Sequence, residues 1–106
     1  MPPSCSGPNG LAIDSAGRTL YIADSPKGII WSVPVSGGSA TPWLTDVALA
    51  PVPTEAPLIG ANRLRFHNGA LRVSNFNQGT LLRVPITNRG RADQPRRSPC
   101  RRGPLT

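Results

Sequence analysis

The sequence has few aromatic residues and no long apolar run. Two Trp, one Tyr and two Phe in 106 residues provide little bulk for a hydrophobic core. A chain of this length normally buries only about two-thirds of its unfolded surface, so we expect marginal stability for the chain alone. The sequence also lacks the run of roughly 18 apolar residues that a membrane span requires.

Cysteines are equally scarce. Cys5 and Cys100 are the only two, and the lack of C-x-x-C spacing argues against a metal staple or a redox pair. The sequence favours two free thiols in loose termini, and a disulfide joining the ends would require an oxidising compartment. The first ten residues lack the basic and apolar regions of a signal peptide. We therefore expect a cytoplasmic protein by default, and secretion stays open if the chain is truncated at its front.

Positive charge dominates the composition but is unevenly distributed. The formal net charge is +7. Residues 89–106 contain six arginines and one aspartate, whereas residues 1–88 contain six basic and four acidic residues. The basicity thus belongs to the C-terminal tail, and the body does not call for an acidic partner. Binding of nucleic acid through the tail is a weaker alternative, because no aromatic residues accompany those arginines for base stacking.

An internal repeat organises the rest of the chain. "PNGLAIDSAGRTLYIADS" (8–25) is echoed by "ANRLRFHNGALRVSN" (61–75). Asn9 and Leu11 match Asn62 and Leu64 at an offset of 53 residues, and Leu20 matches Leu71 at an offset of 51. The offset changes within the turns, where differences in length cost least.

Both copies have the pattern of short β-strands separated by Gly-bearing turns, and no window keeps helical spacing. The sequence predicts an all-β fold of antiparallel strands, at Leu11–Asp14, Leu20–Asp24, Ile29–Val35, Ala40–Leu44, Leu64–Phe66, Leu71–Asn75 and Leu81–Ile86.

Four short antiparallel strands repeated at roughly 50 residues are typical of β-propeller blades. The predicted organisation is a disordered N-terminus (1–7), a blade (8–44), a Pro-rich surface connection (45–60), a partial second blade (61–88) without its fourth strand, and a disordered basic tail (89–106). This amounts to about 1.75 blades of a propeller, whose closed rings have about 4–8.

The motifs "PNGLAID", "GRTLYIADS" and "NGALRVSN" over residues 7–87 resemble the gluconolactonase/regucalcin-like six-bladed propellers, which are related to NHL-repeat proteins. The resemblance implies a metal-dependent sugar-lactone hydrolase with Ca²⁺ or another divalent cation at the mouth of the central channel. It places two metal ligands at Asn9 and Asn62, and the family's Glu ligand in a blade outside this sequence. An amide oxygen suits such a cation, which could polarise a lactone carbonyl.

Simpler roles compete with these assignments. Asn9 precedes a glycine and can be a turn residue, while Arg63 and Arg65 place positive charge beside Asn62. Strand-ending Asp24 and Asn75 are expected to cap turns, His67 to be a solvated turn residue, and Trp31 and Trp43 to pack between sheets.

The functional prediction is therefore a truncated lactonase-like propeller protein that is inactive as an isolated chain, with no bound metal and no catalytic residue assigned. The alternatives are a ring completed by a partner or by self-association, and a non-catalytic NHL-type interaction module. Exposed blade edges predict self-association. A small-molecule lactone would be the substrate of the intact ring.

Overall fold

A computed structural model describes residues 10–99 of the protein. This part of the chain folds into two four-stranded antiparallel sheets, each a simple up-and-down meander with its strands in chain order. The first sheet contains β1–β4 and the second contains β5–β8. The elements are β1 Leu11–Ile13, β2 Thr19–Asp24, β3 Ile29–Pro34, β4 Thr41–Thr45, a 3₁₀ turn Val47–Leu49, β5 Ala61–His67, β6 Ala70–Asn75, β7 Thr80–Pro85 and β8 Arg96–Pro99.

This architecture confirms the all-β prediction, and the predicted strand positions are right to within a few residues. β6 and β7 begin and end 51 residues after β2 and β3. Within residues 10–99, no helix is long or apolar enough to cross a membrane.

The turns explain where the strands end. Asn68 and Gly69 have φ of 48° and 71°, which suits the two-residue turn of a tight hairpin between β5 and β6. After β2, the Gly28 N–H donates to the Asp24 carbonyl at 2.9 Å, and after β6 the Gly79 N–H donates to the Asn75 carbonyl at 3.0 Å. The Asp24 and Asn75 side chains accept hydrogen bonds from the N–H groups of Lys27 and Gln78. Their predicted turn-capping role is confirmed.

The hydrophobic core lies between the two sheets. Strand β5 packs against β1 and β2, so the first strands of the two sheets are neighbours. The first sheet contributes Tyr21 and Ile30, and the second contributes most of the remaining buried side chains, Leu64, Leu71, Val73, Leu82 and Val84. Truncating one of these leucines to Ala is expected to cost about 2–5 kcal/mol.

The connection between the sheets is not only a surface loop, and that part of the prediction is wrong. Ala48 and Leu49 are 3% and 0% exposed and belong to the core. Asp46 caps the 3₁₀ turn by accepting a hydrogen bond from the Ala48 N–H at 2.9 Å. A loop can be buried in this way because its backbone polar groups find partners, which the β6–β7 turn supplies as described below.

The second sheet has the fourth strand that the sequence analysis excluded, and the prediction of a disordered tail is wrong for residues 96–99. Strand β8 pairs with β7 in antiparallel register, from Arg83 opposite Arg96 to Thr80 opposite Pro99. All four β8 side chains are exposed. An edge strand can be held by backbone pairing alone, so its composition carries no apolar signal. The remaining predictions for the N-terminus and for the end of the tail, including those on Asn9, Cys5 and Cys100, lie outside the described residues.

Candidate functional site

Asn62 lies at a β-bulge in β5. Ala61 pairs with Asn75 and Arg63 pairs with Ser74, which leaves Asn62 as the extra residue between them. A bulge redirects a side chain and is common beside functional sites. Gly10 lies against it: a Cβ built on Gly10 would be 2.9 Å from the Asn62 carbonyl oxygen. The structure therefore brings the residue after Asn9 next to Asn62, although Asn9 itself is outside the described part.

The surroundings of Asn62 do not fit a divalent cation. Arg63 follows it directly, and the Nε and Nη1 atoms of Arg63 are buried without a hydrogen-bond partner. Among residues 10–99, His, Asp and Glu side chains form no group of three that could hold a metal. Calcium takes 6–8 oxygen ligands, and this neighbourhood places two unpaired nitrogen donors of Arg63 beside Asn62 instead. The assignment of Asn62 as a ligand stays a prediction.

A cleft that the sequence did not reveal opens between the sheets at the far end of β1 and β5. It has a volume of about 480 Å³. Tyr21 and Trp43 contribute aromatic surface to it, and the loop after β7 closes one side; the lining comprises Asp14, Ser15, Thr19, Tyr21, Ser32, Trp43, Phe66, Gly69, Ile86 and residues 87–90. The cleft forms because β4 and the loop after β7 approach each other in space, and they are far apart in sequence.

Hydrogen bonds and ring packing shape this cleft. The Tyr21 and Trp43 rings meet edge to face with centroids 5.0 Å apart, and the Trp43 indole N–H donates to the Gly90 carbonyl at 2.8 Å. Burial, and secondarily the nearby Asp14 carboxylate, raises the pKa of Tyr21. The phenol is therefore neutral at physiological pH. The lining thus presents hydroxyl, aromatic and carboxylate groups to the cleft.

The other residues singled out in the sequence, one histidine and two tryptophans, lie in different environments. His67 is the last residue of β5, exposed beside the β5–β6 turn, and its Nε2 lies 3.1 Å from Nδ2 of Asn68. Its predicted exposure to solvent is confirmed, although it ends the strand and does not lie in the turn. Trp43 packs against the core as predicted. The prediction is wrong for Trp31, which pairs across the strands with Ile22 on the outer face of the first sheet and donates its indole N–H to Oδ2 of Asp24 at 3.3 Å.

The outer face of the first sheet is apolar. Directly opposite residues share a face, and the register gives two apolar rows across three strands, Leu11–Ile22–Trp31 and Ile13–Leu20–Val33. Leu11 and Ile13 are 49% and 47% exposed. The sequence signal for this face is the near-continuous apolar run of β2 and β3, which is typical of strands buried on both faces.

The outer face of the second sheet is basic. Arg63, Arg65, Arg72, Arg83 and Arg96 share it. This differs from the expectation that the body is nearly neutral, because the acidic residues that balance the count lie elsewhere in the chain. The two outer faces thus differ completely in chemistry.

Searches against protein-family models and against curated proteins find no match to this chain.

Proposed function

We propose that the chain is a two-blade segment of a lactonase-like β-propeller that is inactive as a lactone hydrolase by itself and assembles through the apolar face of its first sheet. Two consecutive four-stranded meanders, stacked with β1 and β2 against β5, support this proposal. The repeated turns at Asp24 and Asn75 support it further, since they show one structural unit used twice.

The apolar outer face of the first sheet is the observation that carries the proposal. An antiparallel sheet that ends a protein normally shows polar side chains to water. Here two rows of large apolar side chains, led by Leu11 and Ile13, face outward instead. Exposed contiguous apolar surface marks an interaction site, and in a propeller the occupant of this face is another blade. A second copy of the chain can supply that blade.

The lack of activity follows from the residues around Asn62. Arg63 stands beside the proposed ligand with unpaired donors, and none of the five acidic residues lies within a strand of the second sheet. A working lactone-hydrolysing centre would need carboxylate and amide oxygens from further blades.

Sedimentation of the full chain tests the assembly. We expect the wild-type protein to self-associate in the micromolar range, and Leu11→Gln with Ile13→Gln to shift it to monomer because the docking face becomes polar. Val47→Gln is the matched control, since Val47 is apolar and 73% exposed but lies off this face, and it should leave association unchanged.

A wild-type chain that stays monomeric and melts cooperatively would contradict the assembly. Lactone hydrolysis that depends on Ca²⁺ and disappears in Asn9→Ala or Asn62→Ala would contradict the proposed inactivity.

A non-catalytic interaction module of NHL type is the second candidate, and the cleft beside Tyr21 and Trp43 favours it. Saturation-transfer NMR with a library of small polar aromatics would test it. Ligands that bind the wild-type chain and are lost in Trp43→Ala, but retained in Trp31→Ala, would support this reading.

A further inference from the structure

A row of four arginines crosses the whole second sheet. Arg65 stands directly opposite Arg72, Arg72 opposite Arg83, and Arg83 opposite Arg96. Adjacent strands lie about 4.8 Å apart, so the row, called here the arginine ladder, extends roughly 14 Å across the strands. It lies on the outer face, because the neighbouring residues Leu64, Val73 and Leu82 point into the core.

The chain does not neutralise the arginine ladder. The protein has five acidic residues, and none lies within the four strands of the second sheet; Asp93 lies in the loop between β7 and β8. The four aspartate side chains accept hydrogen bonds from groups near them in sequence, and Glu55 is exposed in the connection. Like charges directly opposite each other destabilise a sheet. The ladder therefore opposes folding of the isolated chain, which argues for a role in binding.

Unpaired donors lie on the same face. Arg63 is directly opposite Ser74, two residues along the strands from Arg65 and Arg72. Nε and Nη1 of Arg63, Nε of Arg72 and Oγ of Ser74 are buried without a hydrogen-bond partner. Unmade hydrogen bonds of buried groups are costly, and a carboxylate can accept two parallel N–H bonds from a guanidinium.

We propose that the outer face of the second sheet binds a carboxylate-rich surface of a partner protein. Leu81 and Pro85 share the face with the arginines and are half-buried, and arginine combined with apolar residues is typical of protein interfaces. The face offers no Phe, Tyr or Trp side chain for stacking nucleic-acid bases. A second copy does not fit, because its few acidic residues are scattered. This inference does not depend on the proposed function, which concerns the other outer face.

Titration of the full chain with poly-L-glutamate tests the proposal, with an oligouridylate of equal charge as the second probe. The ladder variant combines Arg72→Gln and Arg83→Gln. The matched control combines Arg89→Gln and Arg91→Gln, which removes the same charge from exposed positions in the loop after β7. We expect poly-L-glutamate affinity to fall roughly tenfold in the ladder variant and at most about twofold in the control.

NMR of the arginine side chains supplies a second readout. Poly-L-glutamate is expected to shift the Nε–Hε signals of Arg65 and Arg83 in the wild-type chain, since both ladder side chains are exposed. If the ladder variant does not fold, Arg83→Gln with Arg96→Gln replaces it, because both side chains are exposed.

Three outcomes would overturn the proposal: equal losses in ladder and control variants, unchanged Nε–Hε signals, or tighter ladder-dependent binding of the oligouridylate, which would make the face a nucleic-acid surface. Sedimentation of the ladder variant keeps this test separate from the proposed function, because self-association through the first sheet should persist in it.

Discussion

Asp24 and Asn75 occupy equivalent positions at the ends of β2 and β6, yet their side chains make different hydrogen bonds. The Asp24 carboxylate accepts hydrogen bonds from the Lys27 N–H and the Trp31 indole. The Asn75 amide N–H₂ donates to the Ala48 and Ala50 carbonyls at 2.9 and 2.8 Å, and Asn75 is 1% exposed. At Asn75 the side chain must donate, because the inter-sheet connection presents carbonyl oxygens there. At Asp24 the side chain must accept, because its neighbours are N–H groups.

Exchanging these two side chains should therefore give unequal effects. Asn75→Asp is expected to lower the free energy of unfolding by about 3 kcal/mol, because a buried carboxylate would face two carbonyl oxygens. Asp24→Asn, the matched control, should cost about 1 kcal/mol or less because the position is more exposed. Urea unfolding followed by tryptophan fluorescence measures both, and equal costs would show that Asn75 does not hold the connection.

The raised pKa of Tyr21 predicts that the protein loses stability in alkaline solution. Burial, aided by Asp14, raises its pKa above the ordinary value of 10.0. The unfolded chain therefore releases the phenolic proton at lower pH than the folded chain does. The contribution is fully present below pH 10 and is lost as the pH rises from there through the folded pKa.

Urea unfolding at a series of pH values measures this loss, and tyrosinate absorbance reports the folded pKa of the single tyrosine. Tyr21→Phe should remove the decline over the same pH interval. An equally steep decline in that variant would assign the effect to other groups.

At the scale of elements, three amides in the β6–β7 turn hold the connection. Asn75 and Gln78 both donate to the Ala50 carbonyl, while Oδ1 of Asn77 accepts from the Ile59 N–H at 2.9 Å. These bonds satisfy backbone groups on both sides of the prolines, so the connection can bring Leu49 into the core. A turn that looks like an ordinary polar loop in sequence is therefore a structural anchor.

The arginine ladder is a property of paired strands, and it predicts that one charge reversal stabilises the protein. Arg72→Glu would place a carboxylate directly between Arg65 and Arg83. Two opposite-charge cross-strand pairs then replace two like-charge pairs, and the free energy of unfolding should rise by about 1 kcal/mol.

Arg89→Glu, in an exposed loop, is the control and should change stability by less than about 0.5 kcal/mol. Thermal melts at low and high salt measure the difference, which should shrink as salt screens the pairs. A destabilised Arg72→Glu variant at low salt would show that the ladder arginines are held apart or neutralised.

At the scale of the whole molecule, the two sheets share a core, but the outer face of the first sheet is apolar and that of the second is basic. The apolar rows of the first sheet match the kind of surface that the two sheets already bury between them. The arginine ladder cannot pack against such an apolar surface without leaving charges unpaired. The molecule thus has two faces for two different occupants, and pairing of two apolar first-sheet faces is expected to give a closed dimer and not a growing stack.

Much of the fold could be predicted from local residues. The Asn68–Gly69 turn, the β-rich run before Asp24 and its echo before Asn75 each act over a few neighbours, so strands β1–β7 were found. Strand β8 was not found, because it is held by backbone pairing and its side chains are exposed. The burial of Leu49 and the cleft at Trp43 were also missed, since both depend on residues that meet only after folding.

The sequence by itself determined the strands, the turns and their repetition, because these follow from backbone preferences and spacing within short segments. Only the tertiary structure decided which residues lie opposite each other on paired strands. Strand register brings Arg65, Arg72, Arg83 and Arg96 into one line and Leu11, Ile22 and Trp31 into another. A shift of one residue would turn either set to the opposite face, so the binding properties proposed for this protein depend on pairing between strands.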